Sequence, residues 1–166
     1  VSLAGRPCFV MLFALGGIAA ASSIFAAQYE GAKDSSKHAN VMRASLFAAL
    51  AVALVFFIFS LFTPELVLSF FTKDTEVISI GKNYLMINSL SYFALAIISC
   101  CSAMLRSTGF AKTPLVTGFI SVAINTILNA IMIFGLLGFP ALGSDGAAIA
   151  TVISIFVQCV ILIVFM

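Results

Sequence analysis

"VMRASLFAALAVALVFFIFSLF", residues 41 to 62, runs for 22 residues with Arg43 as its only charge and Ser45 and Ser60 as its only polar interior groups. About 20 apolar residues are what a helix needs to cross a hydrocarbon core. The run is apolar on all sides, which predicts a span that sits at the periphery of a bundle with much of its surface against lipid. The strict alternation in segments of about 10 residues that a membrane barrel needs is absent.

The rest of the chain follows the same plan. Of 166 residues, 63% are hydrophobic and 8% charged, and the mean hydropathy is +1.23, whereas soluble domains carry roughly 25% charged residues. The charges fall at 6, 30–43, 65–82, 106–112 and 145. The intervals between them predict an all-α polytopic bundle with five spans: Pro7–Gln28, Val41–Phe62, Tyr84–Leu105, Pro114–Leu137 and Gly146–Met166. Arg6 followed by an apolar run ending in "AAASSIFAA" imitates a signal peptide. The stretch from Cys8 to Ala27 exceeds the usual core of about 7–15 residues, so a true span is the reading. A start at Val1 and an end in "VILIVFM" predict an excerpt of a larger membrane protein.

Charge sets orientation. Lys33, Lys37, Arg43, Arg106 and Lys112 lie in loops on one side; Arg6, Lys73 and Lys82 lie on the other. The positive-inside rule places "QYEGAKDSSKHANVMR" and "LRSTGFAKTP" in the cytoplasm of a multi-pass plasma-membrane protein, the inner membrane in a bacterium. Outside, "TPELVLSFFTKD" offers Thr63 as N-cap, Pro64 at the first helical position and Glu65 in the first turn, the pattern of a short interfacial helix. Pro114 opens the fourth span, and Gly135, Gly138 and Pro140 close it.

Polar residues line up on three spans. Tyr84, Asn88 and Ser91 share one face of the third; Thr117, Ser121, Asn125 and Asn129 recur every four residues on the fourth; Thr151, Ser154 and Gln158 repeat the pattern on the fifth. Burying an amide without a hydrogen bond costs several kcal/mol, so these stripes predict a shared polar interior. Single hydroxyls read as interhelical glue, since each can bond its own backbone. Asn88, Asn125 and Asn129 read as cavity lining, with Ser121, Ser154 and Gln158 beside them. Small residues at Gly16 and Ala20, and at Gly146, Ala150 and Ser154, predict close helix packing.

Catalysis finds little support. The one histidine, His38, sits beside Lys37 in a loop where a solvated role is expected, no carboxylate lies within a span, and Ser or Cys without a base is a poor nucleophile. Cys8, Cys100, Cys101 and Cys159 have no CxxC spacing and read as packed thiols, with no metal site. Scattered basic residues flanking spans imply no nucleic-acid partner. Binding or transport fits better than an enzyme; a channel lacks a filter loop or charged ring, and a purely structural membrane scaffold stays open.

Three stretches carry a resemblance: "QYEGAKD" (28–34), "LRSTGFAKTPL" (105–115) and, above all, "NTILNAIMIFGLLGFPALGSDGAAIATVIS" (125–154). They resemble the multidrug and toxic compound extrusion family, known as MATE. The likeness covers essentially the whole chain and implies helices two to six of a six-helix amino-terminal lobe, with the first helix and the second lobe of the same polypeptide outside it. Family members export small organic, often cationic, compounds in exchange for protons or sodium ions and carry no other cofactor. The resemblance implies an ion or proton site in which Tyr84, Asn125, Asn129 and Thr151 match family positions. Asn129 stands where relatives have an acidic residue, and the family's aspartate on the first helix has no counterpart. Lipid-linked oligosaccharide flippases of the same superfamily are the alternative, and basic residues in the central cavity would favour them.

Overall fold

The computed structural model describes residues 5–70, 73–135 and 141–166, and no side chain at 75–77. The described residues form helices and their connections: α1 (Arg6–Gly31), α2 (Ser35–Phe62), α3 (Pro64–Ser69), α4 (Thr75–Ser89), α5 (Ser91–Ser107), α6 (Lys112–Phe134) and α7 (Gly143–Val164). Four of them, α1, α2, α6 and α7, are each long and apolar enough to cross a membrane. Ile78–Ser89 and Ser91–Ser107, bent by 49° at their break, are together long and apolar enough to be a fifth. The fourth span's expected end at Leu137, with Gly138 and Pro140, lies outside the described residues.

Local chemistry sets the turns. Between α1 and α2 the backbone reverses through Lys33 in the left-handed region at φ 55. Asp34 then caps α2 by accepting the Lys37 N–H at 3.1 Å, and its carboxyl is held below the ordinary range first by that backbone donor, then by the Lys37 ammonium. At the end of α6, Gly135 takes φ 69, the left-handed C-cap that a residue with a Cβ resists.

The bend in the third span was not expected from a run of 22 residues. At the break, Ser89 Oγ donates to the Met86 carbonyl and Ser91 Oγ to the Asn88 carbonyl, both at 2.7 Å. The Leu90 N–H reaches the Ile87 carbonyl at 3.3 Å, a three-residue closure. Serine hydroxyls on either side of one residue thus take up carbonyls that a continuous helix gives to its own N–H groups. Helix α4 also starts at Thr75, so part of the expected outer loop from Thr63 to Asn83 is helical.

A short helix forms where "TPELVLS" places it, with Pro64 in its first turn. Thr63 makes no side-chain cap; its Oγ1 donates back to the Phe59 carbonyl at 3.0 Å. Glu65 instead reaches Lys82 of α4 at 2.8 Å, tying α3 down, and Lys82 lowers the Glu65 carboxyl. A carboxyl lowered in the fold contributes above its unfolded value and loses that contribution as pH falls through the folded one. The pair is exposed, so its effect is local and small. In the full-length protein, Lys82→Met should speed hydrogen exchange of α3 a few-fold at neutral pH without changing Tm. The difference from wild type should vanish below the carboxylate range.

Helix α2 leaves much of its surface open, as expected of it, but one face, with Ser45, Ala49, Ala53 and Ser60, is packed against its neighbours. Ala49 and Ala53 pack with Met11 and Leu15 of α1 and with Tyr92, Ala96 and Cys100 of α5 in one buried cluster, and the Tyr92 hydroxyl accepts from Ser60 at 3.5 Å. Its other face, with Phe47, Leu54, Val55 and Phe59, is open to lipid. Alanine counts as apolar whether it faces lipid or a neighbouring backbone, and hydropathy alone cannot separate the two. The less covered helix is α6, which packs mainly on α7 and fully buries only Thr117 and Ser121.

Candidate functional site

The four-residue spacing on α6 turns Ser121, Asn125 and Asn129 toward α7. Ser121 Oγ donates to the Ser154 carbonyl at 3.0 Å. Asn125 Nδ2 is shared between Thr151 Oγ1 at 3.4 Å and Ser154 Oγ at 3.3 Å. Those two hydroxyls spend their own hydrogens on helix α7, Thr151 on the Ala147 carbonyl at 2.8 Å and Ser154 on the Thr151 carbonyl at 2.9 Å. They can therefore only accept, which fixes the Asn125 amide as the donor. Its oxygen in turn accepts from Asn129 Nδ2 at 2.9 Å.

Tyr84 completes the cluster from α4, its side chain set against the Thr151 hydroxyl and packed with Leu85, Ala147 and Ala148. The network thus joins Ser121, Asn125, Asn129, Thr151 and Ser154 across α6 and α7, with Tyr84 of α4 beside Thr151. One end is open: Asn129 Oδ1 is buried and accepts nothing. Asn88, one turn from Tyr84 on α4, is 3% exposed, and its Oδ1 likewise has no partner. A buried acceptor without a donor costs about 1–3 kcal/mol, so each of the two marks a place where a donor is wanted.

Not every expected residue joins. Gln158 is half-buried farther along the α6–α7 seam, beside Gly118. Thr117 bonds within its own helix, to Pro114 at 3.2 Å. On α1 the small pair Gly16 and Ala20 is exposed, and a Cβ at Gly16 would meet nothing within 4 Å; the helix packs through Met11, Leu15, Ala19, Ser22 and Ala26 instead. His38 is half-buried rather than solvated, with Nε2 sealed from solvent and unpartnered. The backbone acceptor at Ser154 had no side-chain signature to find. The cysteines are free thiols, three of them buried.

The network holds amides and hydroxyls and no carboxylate. Among the described residues no group of three or more His, Cys, Asp or Glu is placed to hold a metal ion. Such a set accepts a hydrogen bond or contributes an oxygen ligand, but releases no proton near neutral pH.

The described helices thus form a bundle of candidate membrane spans with a polar network between α6 and α7. A family model described as MatE matches residues 1–131, and the chain belongs to that family, the multidrug and toxic compound extrusion transporters. It is 33% identical over 162 residues to the "Probable multidrug resistance protein YoeA" of Bacillus subtilis, covering 96% of this chain and 35% of that protein. It is 28% identical over 152 residues to a "Probable multidrug resistance protein NorM" of Bacillus anthracis, covering 92% and 33%. The chain therefore spans about a third of the length of these relatives. In fold it matches the inward-facing structure of a multidrug resistance MATE family transporter of the MOP superfamily. There the TM-score is 0.86 at 22% identity, with 98% of this chain and 36% of that one covered. It also matches a MATE protein in a bent conformation, with a TM-score of 0.84 at 24% identity, covering 96% and 35%.

Proposed function

We propose that the chain is part of the amino-terminal lobe of a multi-pass plasma-membrane antiporter that exports small organic, often cationic, compounds in exchange for protons or sodium ions. In this reading the α1–α2 and α5–α6 connections lie in the cytoplasm. The observation that carries it is the unpaired Asn129 Oδ1 at the end of the Thr151–Asn125–Asn129 network. Amides present only as glue would finish their bonds between helices; this one leaves an acceptor.

The network also bears on the coupling ion. A protonated carboxyl group on another helix would supply the single donor that Asn129 Oδ1 lacks. A sodium ion needs several oxygens, and the Asn125 oxygen is engaged by Asn129, so binding it requires that amide to turn. The arrangement favours proton coupling, with Asn129 as the orienting group and the titrating carboxyl on another helix.

Asn129→Leu in the full-length protein should lower drug efflux from everted vesicles at least tenfold while membrane abundance holds. Asn129→Asp should retain transport with a steeper pH dependence, because burial raises a carboxyl that no cation compensates. The scaffold reading draws on Ser121, whose hydroxyl is consumed by Ser154. It predicts normal efflux and unchanged ion dependence in Asn129→Leu, and that result would overturn the transport-site reading. Oligosaccharide flipping is less favoured, since no basic residue belongs to the polar network of α6 and α7.

A further inference from the structure

Between α1 and α5 a groove of about 370 Å³ runs from Leu12 to Ser23 on one wall and from Leu95 to Arg106 on the other. Eleven residues of helix separate the ends of each wall, about 16 Å, or half of a hydrocarbon core about 30 Å thick. The groove is as long as one leaflet is deep. Spread over that length, its volume makes a channel about 5 Å wide, the bore of one hydrocarbon chain. A helix with its side chains is about 10–12 Å across. Small residues open the channel: a Cβ at Gly16 would meet nothing within 4 Å beyond its own stretch of helix. A hydrogen bond closes its floor, from Ser99 Oγ to the Leu15 carbonyl at 3.4 Å.

The two ends differ in chemistry. Leu12 and Leu95 make one end apolar, whereas Arg106, exposed at the α5–α6 connection, makes no ion pair among the described residues. A cation in the last turn of α5 suits the helix dipole, which accounts for the charge but not for what lies one turn before it. Ser102 lines the groove, is 6% exposed and makes no hydrogen bond among the described residues. Ser23 and Ser107 instead spend their hydroxyls on their own helices at 2.8 Å, the usual resort of serine in apolar surroundings. A free hydroxyl about 6 Å along the helix from an unpaired arginine repeats the step in depth from a lipid phosphate to its glycerol esters.

We propose that this groove binds one acyl chain of an anionic phospholipid, with the Arg106 guanidinium on the phosphate and Ser102 donating to an ester carbonyl. A guanidinium fork matches phosphate oxygens. No acidic residue lines the groove to hold a cationic headgroup, so a lipid of net negative charge is preferred. On the orientation proposed above the lipid belongs to the inner leaflet. Its binding does not rest on the export reading.

The test uses the full-length protein in nanodiscs and a phosphatidylglycerol with a diazirine at the end of one acyl chain. Labelling is expected at the apolar end of the groove, on Leu12–Gly16 and Leu95–Ser99, and at least fivefold weaker with the matching phosphatidylcholine. Arg106→Gln should abolish that preference, and Arg106→Lys should keep part of it. Gly16→Leu, which puts a side chain into the open channel, should remove the labelling at unchanged Tm, a comparison that stands even where Arg106→Gln accumulates poorly. Equal labelling by the two lipids, or labelling that neither Arg106→Gln nor Gly16→Leu alters, is ordinary contact with bulk lipid and would overturn the proposal. No labelling of these segments in wild type would overturn it too, by showing that another helix of the polypeptide covers the groove. Each of these results leaves the export reading intact, which drug efflux tests separately.

Discussion

Gly146→Val should cost the full-length protein most of its folded yield, and Gly146→Ala should lower its Tm by several degrees. A Cβ at residue 146 would lie 2.7 Å from the Met132 carbonyl oxygen, 2.9 Å from the Met132 carbonyl carbon and 3.1 Å from the Leu142 Cβ. Two of these are backbone atoms of α6, so relief cannot come from a side chain turning away; the helices have to part. That carbonyl also accepts the Leu142 N–H at 3.0 Å, a bond that separation breaks. Inserting one methyl group into a tight contact typically costs about 1–3 kcal/mol, and valine adds two more carbons. The matched control is Gly16→Ala on α1, where no atom beyond the adjoining stretch of its own helix lies within 4 Å of the new Cβ. That change should be neutral or raise stability by up to about 1 kcal/mol, the difference in helix propensity. Thermal unfolding of both variants, followed by the reaction of the buried cysteines with a thiol-reactive fluorophore, checks the pair. A Gly146→Ala protein as stable as wild type would show that α6 and α7 are not packed as described.

These two glycines also show how far the sequence could be read. Each heads a pattern of small residues four apart, and spacing alone treats them alike. What separates them is whether a backbone lies opposite, and that is a tertiary fact. The same limit explains α2: Ala49 and Ala53 look like lipid-facing residues until Met11, Leu15 and Tyr92 are placed against them. The spans themselves were legible because charges interrupt apolar runs wherever a connection has to be solvated. The bend was not, because Ser89 and Ser91 act through local bonds to their own backbone that no hydropathy window registers. At the site, four-residue spacing identified which amides share a face of α6. It could not say that the Asn125 amide would be spent on α7 while the Asn129 oxygen stayed unpaired, since that depends on where the hydroxyls of Thr151 and Ser154 send their own hydrogens.

Asn125→Leu is expected to reduce efflux by the full-length protein at least tenfold, and Ser121→Ala to leave it within about twofold of wild type. Both residues bond α7 from the same face of α6, so a role as glue would rank them by bond quality. On that ranking Ser121 should matter as much or more: its single bond to the Ser154 carbonyl is 3.0 Å, against 3.3 and 3.4 Å for the bonds from Asn125. Hydrogen bonds between membrane helices average about 0.6 kcal/mol, so either loss should be affordable to the fold. The two differ in what they leave behind. Without Ser121, a backbone carbonyl on α7 loses a second partner and nothing else changes. Without Asn125, the Asn129 amide loses the acceptor that orients it at 2.9 Å, and Thr151 loses its link to α6. The Asn129 carboxamide is then free to rotate, and its oxygen no longer points where the bonding set it. If efflux falls in proportion to stability across the two variants, the amides serve packing alone. A tenfold loss in Asn125→Leu at nearly unchanged Tm, beside near-normal transport in Ser121→Ala, assigns Asn125 to positioning Asn129.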